Sequence, residues 1–389
     1  MKNKSIRYYR PGLGLSRALW IVLIALAMAI PAQAAVVMSP YLQAVSEKGV
    51  CVMVECDSKA PVTVQFGANT SYGEIAKTQT TVPTDANPAT CVHRVWLSDL
   101  KPNTTYHYRA TQDGLAYSAD AAFVTAAPAG VPFKFAALGD FRTNTAIHEA
   151  IVARVKDAHP AFSIYGGDLC GNGSYGMFKK EFFQPNELAL DAVAPFFNAP
   201  GNHEGWSPNT KAFTQSPDGP KDAQGYYSFD YGDVHFVSIN NQVSYSKGSA
   251  QWNFVKKDLE STKKPWRVVF FHEPAYCAGG HGENKGMIVM TKELFEPNKV
   301  NIVIAGHTHI YQHNLVNGIH HFVLGAAGAP LYDLGSADYV VKSARVQHYA
   351  IIEVNKNKIH MVVYKNDGSV LDTLDLTGAG AAKTLPAAK

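Results

Sequence analysis

Five short apolar runs in the middle of the chain stop at a loop that opens with Asp, Asn or His. They are Leu138-Gly139-Asp140, Gly166-Gly167-Asp168, Gly201-Asn202-His203-Glu204, Phe271-His272-Glu273-Pro274 and Gly306-His307-Thr308-His309. Any one alone would say little, because Gly-Asp is an ordinary turn and a lone buried His is usually a hydrogen-bonded core residue. Five in series say more. In an α/β sheet the loops beyond the carboxyl ends of the strands converge on one crevice. Glycine before the polar residue lets the backbone turn sharply and neighbouring loops approach. Carboxylates, an amide and imidazoles gathered there are the donors that hold first-row metal ions, so the chemistry is that of a metal centre.

Such a centre needs alternating strands and helices, and these begin at residue 133. Phe133-Lys134-Phe135-Ala136-Ala137-Leu138 reads as a strand, followed by an amphipathic segment over 145–158. Further strands are expected at 162–165, 195–199, 234–239, 266–271, 300–305, 320–324, 350–354 and 359–364, so the middle is α/β and the end all-β. Residues 35–127 have a different texture. Val50-Cys51-Val52-Met53-Val54-Glu55-Cys56 and Pro61-Val62-Thr63-Val64-Gln65-Phe66 are short Val- and Thr-rich runs between turn residues, the pattern of a β-sandwich. Ala126-Ala127-Pro128-Ala129-Gly130 reads as the linker. The second domain is expected over 131–375, with 376–389 a disordered tail.

With 46% hydrophobic and 17% charged residues over 389 positions, disorder, collagen and coiled coil are excluded. The first 34 residues carry five basic side chains and no acid, then an apolar run over 18–30, then Pro31 and Ala32-Gln33-Ala34. This is the layout of a secretory signal peptide, and 13 apolar residues fall short of the roughly 20 that span a bilayer. Without those five, 30 basic residues face 32 acidic ones, so the formal charge of +3 implies neither nucleic acid nor an anionic membrane as partner. An exported protein, periplasmic or secreted, permits disulfides. Cys170 and Cys277, each beside one of the polar loops, are expected to pair, and Cys91 with Cys51 or Cys56.

The order D, GD, GNH(D/E), H, GHxH across Asp140, Asp168, Asn202, His272, His307 and His309, with gaps of 28, 34, 70, 35 and 2, resembles the calcineurin-like metallophosphoesterases, and among them the purple acid phosphatase-like branch. Tyr231-Gly232-Asp233-Val234-His235-Phe236 and the text around His272 agree with it. Leu100-Lys101-Pro102-Asn103-Thr104-Thr105-Tyr106-His107-Tyr108 resembles a stretch of fibronectin type III domains whose first Tyr caps the sheet corner, and the branch commonly carries such a domain in front. The resemblance covers about residues 38–365. It implies a four-layer α/β/β/α sandwich behind an all-β fibronectin type III-like sandwich. It also implies two divalent or mixed-valence ions of Fe, Zn or Mn, one on Asp140, Asp168 and His309 and the other on Asp168, Asn202, His272 and His307, with Asp168 bridging. A metal-bound hydroxide would attack a phosphate ester. His203 would protonate the leaving group, oriented by Glu204, and His281 matches a substrate-facing His of some members. No Ser or Cys nucleophile is needed, so Cys170 is structural.

The departures bear on the activity. Purple members carry a Tyr three residues after the bridging Asp, where this chain has Gly171, and many others a His two residues after the first Asp, where it has Arg142. Arg142 cannot ligate a metal; it is expected either to clamp a phosphate oxygen or to pair with a nearby carboxylate. Where the family has Tyr-Glu-Arg after GHxH, this chain reads Tyr311-Gln312-His313, which leaves His313 in the substrate pocket or inert. Segments 171–191 and 205–225 are expected to shape that pocket. The reading is an exported phosphomonoesterase, with a phosphodiesterase on the same site as the alternative. A metal-binding or adhesive protein without catalysis is the rival of another class. No nucleic acid and no stable membrane anchor after signal cleavage are expected.

Overall fold

The computed structural model describes Met1 and residues 36–112, 115–217 and 224–378. The expected signal peptide beyond Met1, and residues 379–389 of the expected tail, lie outside the described residues.

Two antiparallel sheets make the N-terminal sandwich. One orders Tyr41–Gln43, Val50–Cys56, Cys91–Leu97 and Thr80–Pro83; the other holds Glu74–Lys77, Thr63–Gly67, Thr105–Gln112, Leu115–Ala116 and Ala121–Val124. Val50–Cys56 reads as a continuous apolar run because both its faces are covered. Val50, Val52 and Val54 enter the sandwich core, while Cys51 and Met53 pack with Tyr41, Phe178 and Phe183 of a second cluster. The Tyr106 hydroxyl accepts the Lys101 amide at 3.0 Å, tying the strand start to the chain upstream. The expected disulfides are not formed: all five cysteines are buried free thiols. The Cys170 thiol donates to Asn172 O of its own loop at 3.0 Å, and Cys277 turns likewise to Gly279 O. Cys56 and Cys91 are cross-strand partners, yet Cys91 bonds Ser58 O.

From residue 133 two mixed sheets follow. The six-stranded sheet runs Phe196–Asn198, Ser163–Tyr165, Phe133–Leu138, His348–Asn355, Lys358–Lys365, Val370–Thr377, its first three strands parallel. The seven-stranded sheet runs Tyr227–Tyr231, Val234–Ser238, Trp266–Phe271, Ile302–Ala305, Ile319–Leu324, Tyr311–Val316, Val340–Ala344, with four parallel strands in the middle. Phe135, Ile164, Val268, Phe270 and Ile304 share one core between them. The helix Thr145–Asp157 starts where the Asn144 side chain accepts the Ile147 amide at 3.2 Å, and it buries Ile151, Val152 and Val155 against Leu138 and Tyr165. Ala250–Ser261 is capped by Ser249 and buries Trp252, Val255 and Leu259, one helical face, on Val237 and Val269.

Four strands escaped the sequence pattern. Tyr311–Val316 is polar yet buried, and Val340–Ala344 and Val370–Thr377 lie at sheet edges, half in water. Tyr227–Tyr231 is the outer arm of a hairpin. Val370–Thr377 runs two residues past the expected domain end at 375, with Leu376 and Thr377 paired to Ile359 and Lys358.

The segment expected as a pocket loop at 171–191 is largely helical, with turns at Tyr175–Met177, Phe178–Phe182 and Pro185–Asp191. Together with the helix Pro208–Phe213 it docks the N-terminal sandwich. Lys179 Nζ reaches the fully buried Glu55 at 3.0 Å, and Asp85 accepts the Asn209 side chain at 2.7 Å and the Tyr175 amide at 3.1 Å. Tyr41 donates to Phe213 O at 2.7 Å.

Candidate metal centre

The three parallel strands of the first sheet and two neighbouring parallel strands of the second deliver their carboxyl ends to one place. Asp140 follows Phe133–Leu138, Asp168 follows Ser163–Tyr165 and Asn202 follows Phe196–Asn198, while His272 and His307 follow Trp266–Phe271 and Ile302–Ala305. The glycines are what let them meet. A Cβ on Gly306 would stand 2.4 Å from Asp140 Oδ2, one on Gly201 2.3 Å from Asp168 Oδ1, and one on Gly167, at φ +87°, 2.6 Å from His272 Nδ1. Asp140, Asp168 and His307 themselves hold positive φ of 60°, 53° and 67°, a region L-residues seldom occupy.

Four of the expected ligands converge tightly. His272 Nε2 lies 2.9 Å from Asn202 Oδ1, 3.2 Å from His307 Nδ1 and 3.3 Å from Asp168 Oδ1, and His307 Nδ1 lies 2.9 Å from Asn202 Oδ1. His272 Nδ1 donates to Gly166 O at 2.7 Å, so Nε2 presents its lone pair inward. Lone pairs of nitrogen and oxygen crowd one point, an arrangement that a cation between them relieves. Beside it Asp140, Asp168 and His309 bring ligand atoms within 4.8 Å of one another, with His309 Nε2 3.4 Å from Asp140 Oδ1 and its Nδ1 donating to Pro330 O at 2.7 Å. Burial pushes His307 down to about 3 and His309 down to about 4, so both imidazoles are neutral near pH 7, as ligands must be. Burial raises the Asp140 carboxyl. Asp168 feels the same burial, yet its surroundings, the His203 amide and the Arg142 guanidinium among them, carry it below the usual range. The donor set therefore fits metal ions, with Asp168 placed to serve both positions.

The other expected residues divide. His203 is at the rim, Nε2 3.7 Å from Asp168 Oδ2, but Glu204 does not orient it. His203 Nδ1 donates to Gly171 O at 2.9 Å, and the buried Glu204 instead accepts the Gly201 amide at 2.7 Å and steadies the turn that carries Asn202. Successive side chains on this turn diverge, so neighbours in sequence do not touch. Burial and the nearby Asp168 push Glu204 up to about 8. The exposed His281 stacks on His307, ring centroids 4.2 Å apart, and its Nε2 lies 3.3 Å from the Tyr332 hydroxyl. His313 is away from the centre, bonded through Nε2 to His320 at 2.9 Å and buried. Arg142 turns its guanidinium onto Asp168 and His309.

Two contributors carried no signal in the sequence. Tyr332 lies flat on the His309 ring at 4.2 Å, in a stretch without periodic pattern. Glu181 accepts the Gly171 amide at 2.6 Å and the Thr143 amide at 3.2 Å, joining the loops behind Asp168 and Asp140. A cavity of about 970 Å³ lies elsewhere, lined by Phe123, Val124, Phe133 and Lys358 and by none of the ligands. The centre opens to solvent at the exposed Asn202.

Residues 133–311 match the calcineurin-like phosphoesterase family. Purple acid phosphatase 18 of Arabidopsis thaliana is 26% identical over 236 residues, covering 57% of this chain and 52% of that protein. Purple acid phosphatase 21 of the same plant is 29% identical over 241 residues, covering 57% and 53%. The chain thus spans about half the length of these relatives. The solved structure of purple acid phosphatase PPD1 from yellow lupin (Lupinus luteus) seeds superposes with a TM-score of 0.77 at 18% identity, over 90% of this chain and 77% of that one, a likeness of fold.

Proposed function

We propose that this chain, which carries a calcineurin-like metallophosphoesterase domain and has purple acid phosphatases among its homologues, is an exported, metal-dependent phosphomonoesterase. The observation that carries the reading is the convergence of Asp168, Asn202, His272 and His307 on one point with the His272 lone pair fixed inward. These four would hold one ion of Fe, Zn or Mn; Asp140, Asp168 and His309 are the donors on which the family resemblance places a second. When bound, such ions supply an activated water and neutralise phosphate oxygens. The domain reading is a fibronectin type III-like unit over 35–127 and a four-layer α/β/β/α unit over 131–375, with residues 1–34 removed on export. Among the described residues no helix is long and apolar enough to cross a membrane.

The chain's own groups do the rest. His203, held at Nδ1 by Gly171 O, presents Nε2 at the open rim, where its protonated form donates to the departing alkoxide. His281 and Tyr332 flank the ligands His307 and His309 with ring faces and bound the side on which the ester sits. Asp140 takes the His307 amide on both carboxylate oxygens, at 2.9 and 3.1 Å, which fixes the loop of the second sheet against the first.

The test is hydrolysis of p-nitrophenyl phosphate and of its bis-ester by the mature protein before and after chelation. Activity on the monoester that is lost with the metal and restored by Mn²⁺, Zn²⁺ or Fe supports the reading. Hydrolysis indifferent to chelation would overturn it, and preference for the bis-ester would replace monoesterase by diesterase.

A further inference from the structure

The first metal position is already contacted by a cation belonging to the chain. Arg142 Nε lies 3.4 Å from Asp168 Oδ2, and Arg142 Nη2 lies 3.3 Å from His309 Nε2. These residues, with Asp140, are the three-member donor group of that position. Because His309 Nδ1 is committed to Pro330 O, its Nε2 can only accept, so the guanidinium is the donor. The Arg142 side chain is 16% exposed, folded inward rather than extended to solvent. The loop behind it is fixed: Thr143 holds φ 79°, and Glu181 receives the Thr143 and Gly171 amides. Position 171 adds no donor: it has no side chain, and a Cβ there would already press on Glu181 at 3.2 Å and Met177 at 3.1 Å.

A guanidinium is always charged and has no lone pair to offer. An ion at this position would need the same Asp168 and His309 lone pairs, and would sit a few ångströms from a fixed positive charge. The second position has no such competitor. Asp168 Oδ1 accepts the His203 amide there, at 3.0 Å, with His272 Nε2 at 3.3 Å, and among the described residues no Lys or Arg is hydrogen-bonded or ion-paired to Asn202, His272 or His307.

We propose that Arg142 is the resident cation of the first position, so that this centre binds one metal ion tightly, on Asp168, Asn202, His272 and His307, and the guanidinium supplies the positive charge that a second ion would bring. The inference rests on the metal-dependent reading above and deepens it.

The experiment is Mn²⁺ binding to the chelator-stripped mature protein, read by elemental analysis after dialysis and by electron paramagnetic resonance. Wild type should retain one equivalent with an isolated-ion spectrum. Arg142→Gln, neutral and of similar reach, should bind a second equivalent at least about tenfold more tightly than wild type does and show a spin-coupled spectrum. Arg142→Lys, which keeps the charge, should stay at one. Should Arg142→Gln not fold, Asp140→Ala decides: it leaves the stoichiometry at one if Arg142 holds the first position, and lowers two to one if it does not. Two equivalents with a coupled spectrum in wild type would overturn this inference while leaving the metal-dependent reading intact. No retained ion in wild type would bring down both.

Discussion

His235 titrates between two carboxylates, and its proton should be measurable as folding stability. Its Nδ1 lies 2.7 Å from Asp230 and its Nε2 2.7 Å from Asp258, joining the hairpin arm Tyr227–Tyr231 to the helix Ala250–Ser261 through Val234–Ser238. Burial by itself would lower its pKa, but the two carboxylate bonds outweigh that and raise it from 6.5 to about 9. A folded value above the unfolded one means that the proton favours the fold. The stabilisation is complete below pH 6.5 and is lost as pH rises through about 9. At about 1.4 kcal/mol per unit the gap corresponds to roughly 3 kcal/mol, and discounting for the half-exposed Asp230 leaves about 2. For a domain of this size that is about 4 to 8 °C of melting temperature. The assay is thermal melting of wild type and His235→Gln at pH 6 and pH 10. Wild type should lose that much more than the variant on going to pH 10, and the difference isolates His235 from other groups that titrate there. Parallel pH profiles in the two proteins would refute the clamp.

At the centre, His272→Ala should lower phosphomonoester hydrolysis by more than roughly a hundredfold, since even outer partners of metal ligands cost 10–100-fold, with far-UV circular dichroism unchanged; activity within tenfold of wild type would sink the ligand assignment. Gly201→Ala, whose Cβ would meet Asp168 N at 2.2 Å, should lower both metal content and melting temperature, whereas Gly176→Ala, with open space around it, should leave both near wild type. The iron-loaded protein should lack a visible phenolate band, because Gly171 offers no phenol and Tyr332 lies face-on to His309 with its hydroxyl toward His281; an absorption spectrum with a strong band would show that a tyrosine reaches the metal.

The ligands were legible in the sequence because strand ends concentrate them and because glycine precedes Asp140, Asp168, Asn202 and His307. At Gly167, Gly201 and Gly306 a Cβ would collide with a ligand or a neighbouring loop. What stayed hidden depends on where side chains turn after the backbone is placed. Glu204 follows His203 in sequence but bonds Gly201, and Arg142 turns inward to Asp168. Tyr332 and Glu181 reach the centre from segments whose local patterns carry no sign of it. Tyr311–Val316 was missed because its buried polar side chains bond to distant partners: Gln312 donates to Ala278 O and Asn314 to Tyr276 O, both at 2.9 Å. The cysteine pairing failed for a related reason, since adjacency to a motif says nothing about the direction of a thiol.

The left-handed backbone at Asp140, Asp168 and His307 asks what holds it, since each such residue costs of order 1 kcal/mol or more. The answer is a set of bonds between loops of different strands. The Asp140 amide donates to Gly167 O at 2.9 Å, Phe141 to Asp168 O at 3.0 Å, and Gly306 to His272 O at 3.0 Å. The His307 amide then closes the ring across the two sheets onto the Asp140 carboxylate. None of these bonds involves a metal, so the frame that brings the ligands together is set by the protein's own backbone. Arg142, two residues after Asp140, lies in the same frame and turns onto Asp168 and His309.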